Sequence, residues 1–218
     1  MRFAAVLFDL DGTLLDTLDD IAEASNHALA CFGFPAHPHG AYRKFVGEGV
    51  SALFQNALPP DRRTEDWIGR CVVQFRESYA QRWNVHTKPY AGVLELLAAL
   101  RAQSIRCAVL SNKPHIFTCQ CVEAQLSGHK FDVVLGQRDG VPRKPDPSAA
   151  REIAARMSLP SHSFLYLGDT GVDMRTAVAA GMYPVGALWG FRPREELVEH
   201  GARVLVEHPD AVLPLLDF

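Results

Sequence analysis

The chain has 218 residues, 48% of them hydrophobic and 22% charged, with 22 Lys+Arg against 25 Asp+Glu and a formal net charge of -3. That composition excludes a disordered, collagenous or low-complexity chain. The near-balance of charge excludes the basic footprint of a nucleic-acid binder and the single-sign field that seeks an anionic membrane. The longest unbroken apolar run, residues 3–8, meets a carboxylate at Asp9. A bilayer span needs about 20 apolar residues and a signal-peptide core roughly 7–15, so the chain reads as cytoplasmic. Cys31, Cys71, Cys107, Cys119 and Cys121 are odd in number and hold no C-x-x-C pair. They are expected to be small buried hydrophobes.

In chain order, residues 3–8 predict a first strand. Thr17-Leu-Asp-Asp20 has the spacing of a capping box and opens a helix with Ile21, Ala24, Ala28 and Leu29 inward. A second helix is expected to begin near Ala41, and a long charged one over residues 61–83. Residues 92–103 follow as a helix with Val93, Leu96, Leu97 and Leu100 on one stripe. Residues 105–110 predict the second core strand and 131–135 the third. Residues 147–157 predict a helix and 164–167 the fourth strand. A short helix over 173–180 stops at Gly181, a natural C′ residue. Residues 183–188 and 204–206 close the series as two further strands.

Short apolar runs alternating with helices imply an α/β fold, a doubly wound, Rossmann-like parallel sheet. The stretch between the first two core strands is too long for one crossover, so it reads as an inserted α-helical cap domain over residues 16–88. The core is then residues 1–15 plus 89–218.

In such sheets the active site lies at the C-terminal strand ends. The first strand is followed by Asp9-Leu-Asp11-Gly12-Thr13, the second by Ser111-Asn112, the third by Lys144-Pro145-Asp146-Pro147, and the fourth by Gly168-Asp169-Thr170-Gly171-Val172-Asp173. Paired carboxylates just past buried strands are costly without a cation. Converging carboxylates, a hydroxyl and one lysine make a magnesium and phosphate site. His37-Pro-His39 has the look of a metal tract but sits in a Pro/Gly-rich loop and is read as loop chemistry.

These residues resemble the four motifs of the haloacid dehalogenase-like superfamily of phosphotransferases, and the helical insertion is similar to its first cap type. Leu110-Ser-Asn-Lys-Pro-His115, Lys144-Pro-Asp-Pro147, Ala180-Gly-Met182 and Trp189-Gly-Phe191 are most similar to bacterial phosphoglycolate phosphatases. The resemblance implies Asp9 as nucleophile and Asp11 as general acid and base, with Mg2+ held by Asp9, Asp169 and the backbone carbonyl of Asp11. It implies phosphate oxygens held by Lys144 and Ser111 with support from Thr13 and Asn112, and Asp173 orienting the metal's waters or Lys144. It also implies a small phosphorylated metabolite as partner, most simply 2-phosphoglycolate. In the cap, Arg43 and Lys44 before the Gly47-Glu-Gly49 turn are candidates for meeting a substrate carboxylate. Two alternatives stay open: a phosphatase for a sugar phosphate or nucleotide, and a non-catalytic phosphoacceptor module. Monomer and homodimer both stay open as well.

Overall fold

A computed structural model describes residues 3–217. Its elements begin with β1 (Ala5–Phe8), β2 (Leu15–Asp16), α1 (Leu18–Ala30), α2 (Tyr42–Phe45), α3 (Val50–Ala57) and α4 (Glu65–Arg82). There follow β3 (Lys88–Pro89), α5 (Val93–Ala102), β4 (Arg106–Pro114), α6 (His115–Leu126), β5 (Val133–Gln137) and α7 (Ser148–Arg156). The chain closes with β6 (Phe164–Gly168), α8 (Gly171–Ala180), β7 (Tyr183–Ala187), α9 (Arg194–Glu199) and β8 (Val204–Val206). It divides into two compact units, Met1–Leu15 with Pro89–Phe218, and Asp16–Lys88.

The first unit is built on a six-stranded sheet in the order β5-β4-β1-β6-β7-β8. Every pairing in it is parallel. Numbered within the sheet, that order is 3-2-1-4-5-6, the doubly wound arrangement. β1 lies at the centre, with Leu7 flanked by Ala108 and Tyr166. All four of its residues are fully buried, because successive side chains point to opposite faces and both faces are covered. Ala5 and Leu7 join Leu110, Leu135, Ala150, Ile153, Ala177 and Ala180 in one apolar cluster that seats α7 and α8. The order of strands reverses between β1 and β6, which opens a crevice at their C-terminal ends.

β4 runs on to Pro114, through Ser111, Asn112 and Lys113, where the sequence predicts an end at Leu110. Those three polar residues are buried, so hydrophobicity does not mark them as strand. The β4–β5 register shifts between Leu110 and Pro114, a local irregularity that re-aims side chains. β5 likewise begins two residues later than the apolar run suggests.

The second unit is helical. α1 packs on α4, and aromatic contacts fill its interior: Phe75 stacks on Tyr79 at 5.2 Å, and Trp67 receives the edges of Phe32 and Phe34. Thr64 caps α4 by accepting from the Trp67 N–H. The helix expected near Ala41 is the short α2, which follows a 3-10 turn over His39–Ala41, and α3 is an element not expected from the sequence.

The expected capping box at Thr17 does not form, since the Thr17 side chain makes no cap hydrogen bond. Asp20 has a stronger use. Its buried carboxylate accepts from the backbone N–H groups of Val85, His86 and Thr87 and from the Thr87 hydroxyl at 2.7 Å. Several donors on one carboxylate outweigh one reciprocal cap.

Of the cysteines, Cys71, Cys107 and Cys121 are buried as expected, whereas Cys119 is half-buried and Cys31 exposed. Burial pushes the Cys71 thiol up to about 11 and the Cys107 thiol up to about 12, so both stay protonated. No helix among the described residues is long and apolar enough to cross a membrane.

Candidate active site

The crevice between the ends of β1 and β6 collects the carboxylates. Asp9 follows β1, Asp169 follows β6, and Asp173 sits in the first turn of α8. Each offers one oxygen within 4.8 Å of the others, and all three are buried. Lys144 reaches the same point. Its ammonium is 2.9 Å from Asp9 Oδ1 and 2.7 Å from Asp173 Oδ1, and it donates to the Leu110 carbonyl at 3.1 Å. The lysine is held by a strand that is not its own: the Asn112 amide donates to the Lys144 carbonyl at 3.1 Å, and the Lys144 N–H donates to Asn112 Oδ1 at 2.9 Å.

Each carboxylate has its own support. The Leu10 N–H donates to Asp9 Oδ1 at 2.7 Å. Asp169 accepts from the Thr13 hydroxyl at 2.7 Å and from the Phe191 N–H at 2.8 Å. Two glycines enclose it. A Cβ on Gly12, whose φ is +89°, or on Gly190 would overlap the Asp169 side chain. Asp173 forms a true capping box with Thr170. Thr170 Oγ1 donates to Asp173 Oδ2 at 2.6 Å, and the Thr170 N–H donates to the same oxygen at 3.1 Å. Its other oxygen takes the Lys144 ammonium and, at 3.4 Å, the Tyr166 hydroxyl. Both oxygens of Asp173 are therefore engaged by the protein.

The electrostatics follow from crowding. Burial and the neighbouring Asp173 charge raise the Asp9 carboxyl well above the usual range, against the pull of Lys144. Burial and Asp173 also push Asp169 up to about 7. Burial alone would lower Lys144, but Asp173 and Asp9 outweigh it and keep the ammonium charged. Three carboxylates against one ammonium leave an excess of buried negative charge, and an all-oxygen donor set is what a hard divalent cation takes.

The expected site residues are placed as follows in the structure. Asp9, Lys144, Asp169 and Asp173 converge. Ser111 lies on β4 beside them and accepts from the Lys113 N–H at 3.2 Å. Thr13 and Asn112, expected to support the phosphate site, hydrogen-bond Asp169 and the Lys144 backbone, so they position those two residues. The Asp11 carboxylate stands outside the three-carboxylate cluster and pairs with Lys113 Nζ at 3.0 Å. Arg43, Lys44, Gly47 and Gly49 belong to the helical unit. Arg43 and Lys44 are exposed on α2, and Gly47 and Gly49 have φ of +125° and +90°.

Three further residues, quoted above only within motifs, carry no role assigned from the sequence. Lys113 is hidden inside a polar run next to Ser111. Trp189 donates its indole N–H to the Thr13 carbonyl at 2.9 Å, and Phe191 contributes a backbone N–H to Asp169. The signal for the last two was the Gly190 between them, since glycine there permits the close approach to Asp169.

The haloacid dehalogenase-like hydrolase profile matches residues 6–187. A phosphoglycolate phosphatase of Nitrosospira multiformis is 32% identical over 215 residues, which cover 97% of this chain and 92% of that one. A phosphoglycolate phosphatase of Mesorhizobium japonicum is 30% identical over 209 residues, which cover 95% of this chain and 92% of that one. A crystal structure from Lactobacillus delbrueckii subsp. bulgaricus, of a protein assigned as a phosphoglycolate phosphatase, superposes with a TM-score of 0.93. It shares 29% identity, with 99% of each chain covered. The chain belongs to the haloacid dehalogenase-like hydrolase family, and its enzyme class is that of a phosphoric monoester hydrolase.

Proposed function

We propose that this enzyme hydrolyses 2-phosphoglycolate to glycolate and phosphate through an aspartyl-phosphate on Asp9, with Mg2+ as cofactor. The observation that carries the reading is the meeting of Asp9, Asp169, Asp173 and Lys144 at the switch point of the sheet. The relatives named for that activity support the substrate.

Asp9 is the nucleophile. Its carboxylate attacks phosphorus, the phosphorus–oxygen bond to the leaving group breaks, and an acyl phosphate forms on the side chain. Asp11, two residues on, gives a proton to the departing oxygen and then takes one from the water that hydrolyses the acyl phosphate. Lys144 and Ser111 hold the transferring oxygens as charge shifts onto them. Asp173 keeps Lys144 aimed at Asp9, and Thr13 with the Phe191 N–H keeps Asp169 in one orientation. Asp9, Asp169 and the Asp11 carbonyl would hold Mg2+, which neutralises the repulsion between carboxylate and phosphate.

The test is Asp9→Asn, which preserves shape and removes the nucleophile. Phosphate release from 2-phosphoglycolate in Mg2+ should fall by roughly 10⁴-fold or more. A rate near that of the wild type would refute the nucleophile. A panel of phosphomonoesters assayed beside it, in which 2-phosphoglycolate was not preferred, would refute the substrate alone.

A further inference from the structure

Lys113 has no part in the chemistry above, yet it is buried beside it. Its residue is 7% exposed, and its ammonium lies 3.0 Å from Asp11 Oδ1. Its backbone is pinned from two sides: the N–H donates to Ser111 Oγ at 3.2 Å, and the carbonyl accepts from the Thr118 hydroxyl at 3.1 Å. Gly136 of β5 packs on the same carbonyl so closely that a Cβ there would lie 2.6 Å from it. A lysine fixed this firmly on a strand is placed for a purpose beyond covering surface.

We infer that Lys113 recognises a carboxylate on the leaving group, which directs the enzyme to phosphomonoesters of 2-hydroxycarboxylates. The inference rests on the reading of the site given above and adds a residue and a substrate class to it.

To serve the leaving oxygen, Asp11 must come within hydrogen-bond reach of that oxygen, roughly 2.6–3.2 Å. Whatever stands next to the leaving oxygen then stands next to the partner of Asp11, which is Lys113. In an ester of a 2-hydroxycarboxylate the carboxylate is one carbon removed from that oxygen. Asp11 also has to turn from Lys113 to the substrate, and a buried ammonium favours an anion in the place Asp11 leaves. The substrate carboxylate takes the place of Asp11 on Lys113. A neutral alcohol offers no such replacement. A site built around a buried charge rejects the analogue lacking its partner by about 10²–10³-fold.

The experiment compares 2-phosphoglycolate with 2-hydroxyethyl phosphate, of equal length but with a hydroxymethyl group in place of the carboxylate. The wild-type enzyme should prefer the former by about 10²-fold or more in kcat/KM. K113M should reduce that preference to less than tenfold, chiefly through KM on 2-phosphoglycolate, and K113R should retain a substantial part of it. Glycolate should inhibit wild-type turnover of 2-hydroxyethyl phosphate where ethylene glycol does not, and K113M should lose this inhibition. Equal losses on both substrates in K113M would overturn the inference, since they would mean that Lys113 only orients Asp11. If K113M does not fold, K113R and glycolate inhibition of the wild type decide, and no inhibition overturns it. Equal wild-type turnover of both esters, with D9N abolishing both, would sink the recognition and leave the phosphatase standing. Activity surviving in D9N would sink the reading of the site itself.

Discussion

The cation-free protein should lose stability as pH rises, and the loss should come from Asp169. Its carboxyl stands at about 7 in the folded chain against an ordinary 3.8, mainly through burial and then through the charge of Asp173. Below about pH 4 both the folded and unfolded forms hold the proton, and no difference arises. Between about pH 4 and 7 the unfolded chain releases its proton while the folded chain retains it. Each pH unit in that window costs about 1.4 kcal/mol. Above the folded pKa the loss is complete. From pH 5 to 8 this amounts to about 3 kcal/mol, or on the order of 10 °C in Tm for a chain of this size. Asp9, raised for the same reason, acts in the same direction. Mg2+ at a hundredfold excess over its Kd returns about 2.7 kcal/mol, and it should do so at pH 8 far more than at pH 5, where protons compete for the ligands. Calorimetry in chelator and in Mg2+ at both pH values measures this, with D169N as the control that removes the titrating group. Equal cation-free stability at pH 5 and 8 would refute the burial argument. So would a D169N variant that keeps the wild-type slope.

Two further outcomes follow from the packing. Asp20→Ala strips one buried acceptor from three backbone N–H groups and a hydroxyl in the helical unit, and urea unfolding should register a loss of about 3 kcal/mol. Amide exchange at Val85, His86 and Thr87 should quicken with it. Gly190→Ala places a methyl group against Asp169, so Mg2+ titrated calorimetrically should bind roughly 10- to 100-fold more weakly. Unchanged affinity would show that the enclosure of Asp169 is immaterial.

The positions of Asp9 and Asp169 were legible because buried parallel strands read as apolar runs and stop where polar groups begin. The runs ending at Phe8 and Leu167 therefore pointed directly at the crevice. The same rule misled at β4, where Ser111, Asn112 and Lys113 continue the strand as buried polar residues sustained by long-range partners. No local pattern encodes a partner 102 residues away, so the sequence assigns Lys113 no role. At Thr17 the local pattern was present but lost to a distant one, since Asp20 finds its donors some 65 residues downstream. At Thr170 and Asp173 the two agree: the capping box is local, and its carboxylate still has an oxygen left for Lys144.

The double hydrogen bond between Asn112 and the Lys144 backbone separates two tasks that a loop usually performs together. The ammonium takes its place from β4, through Asn112, and not from the chain that leads up to it. The approach from Arg138 to Arg143, largely at the surface, is thereby relieved of aiming anything. Its length and sequence are free to drift among related chains while the distance from Lys144 to Asp9 stays fixed. An alignment would then show an abrupt boundary at residue 144, variable before it and constrained after it, with the constraint mirrored at residue 112.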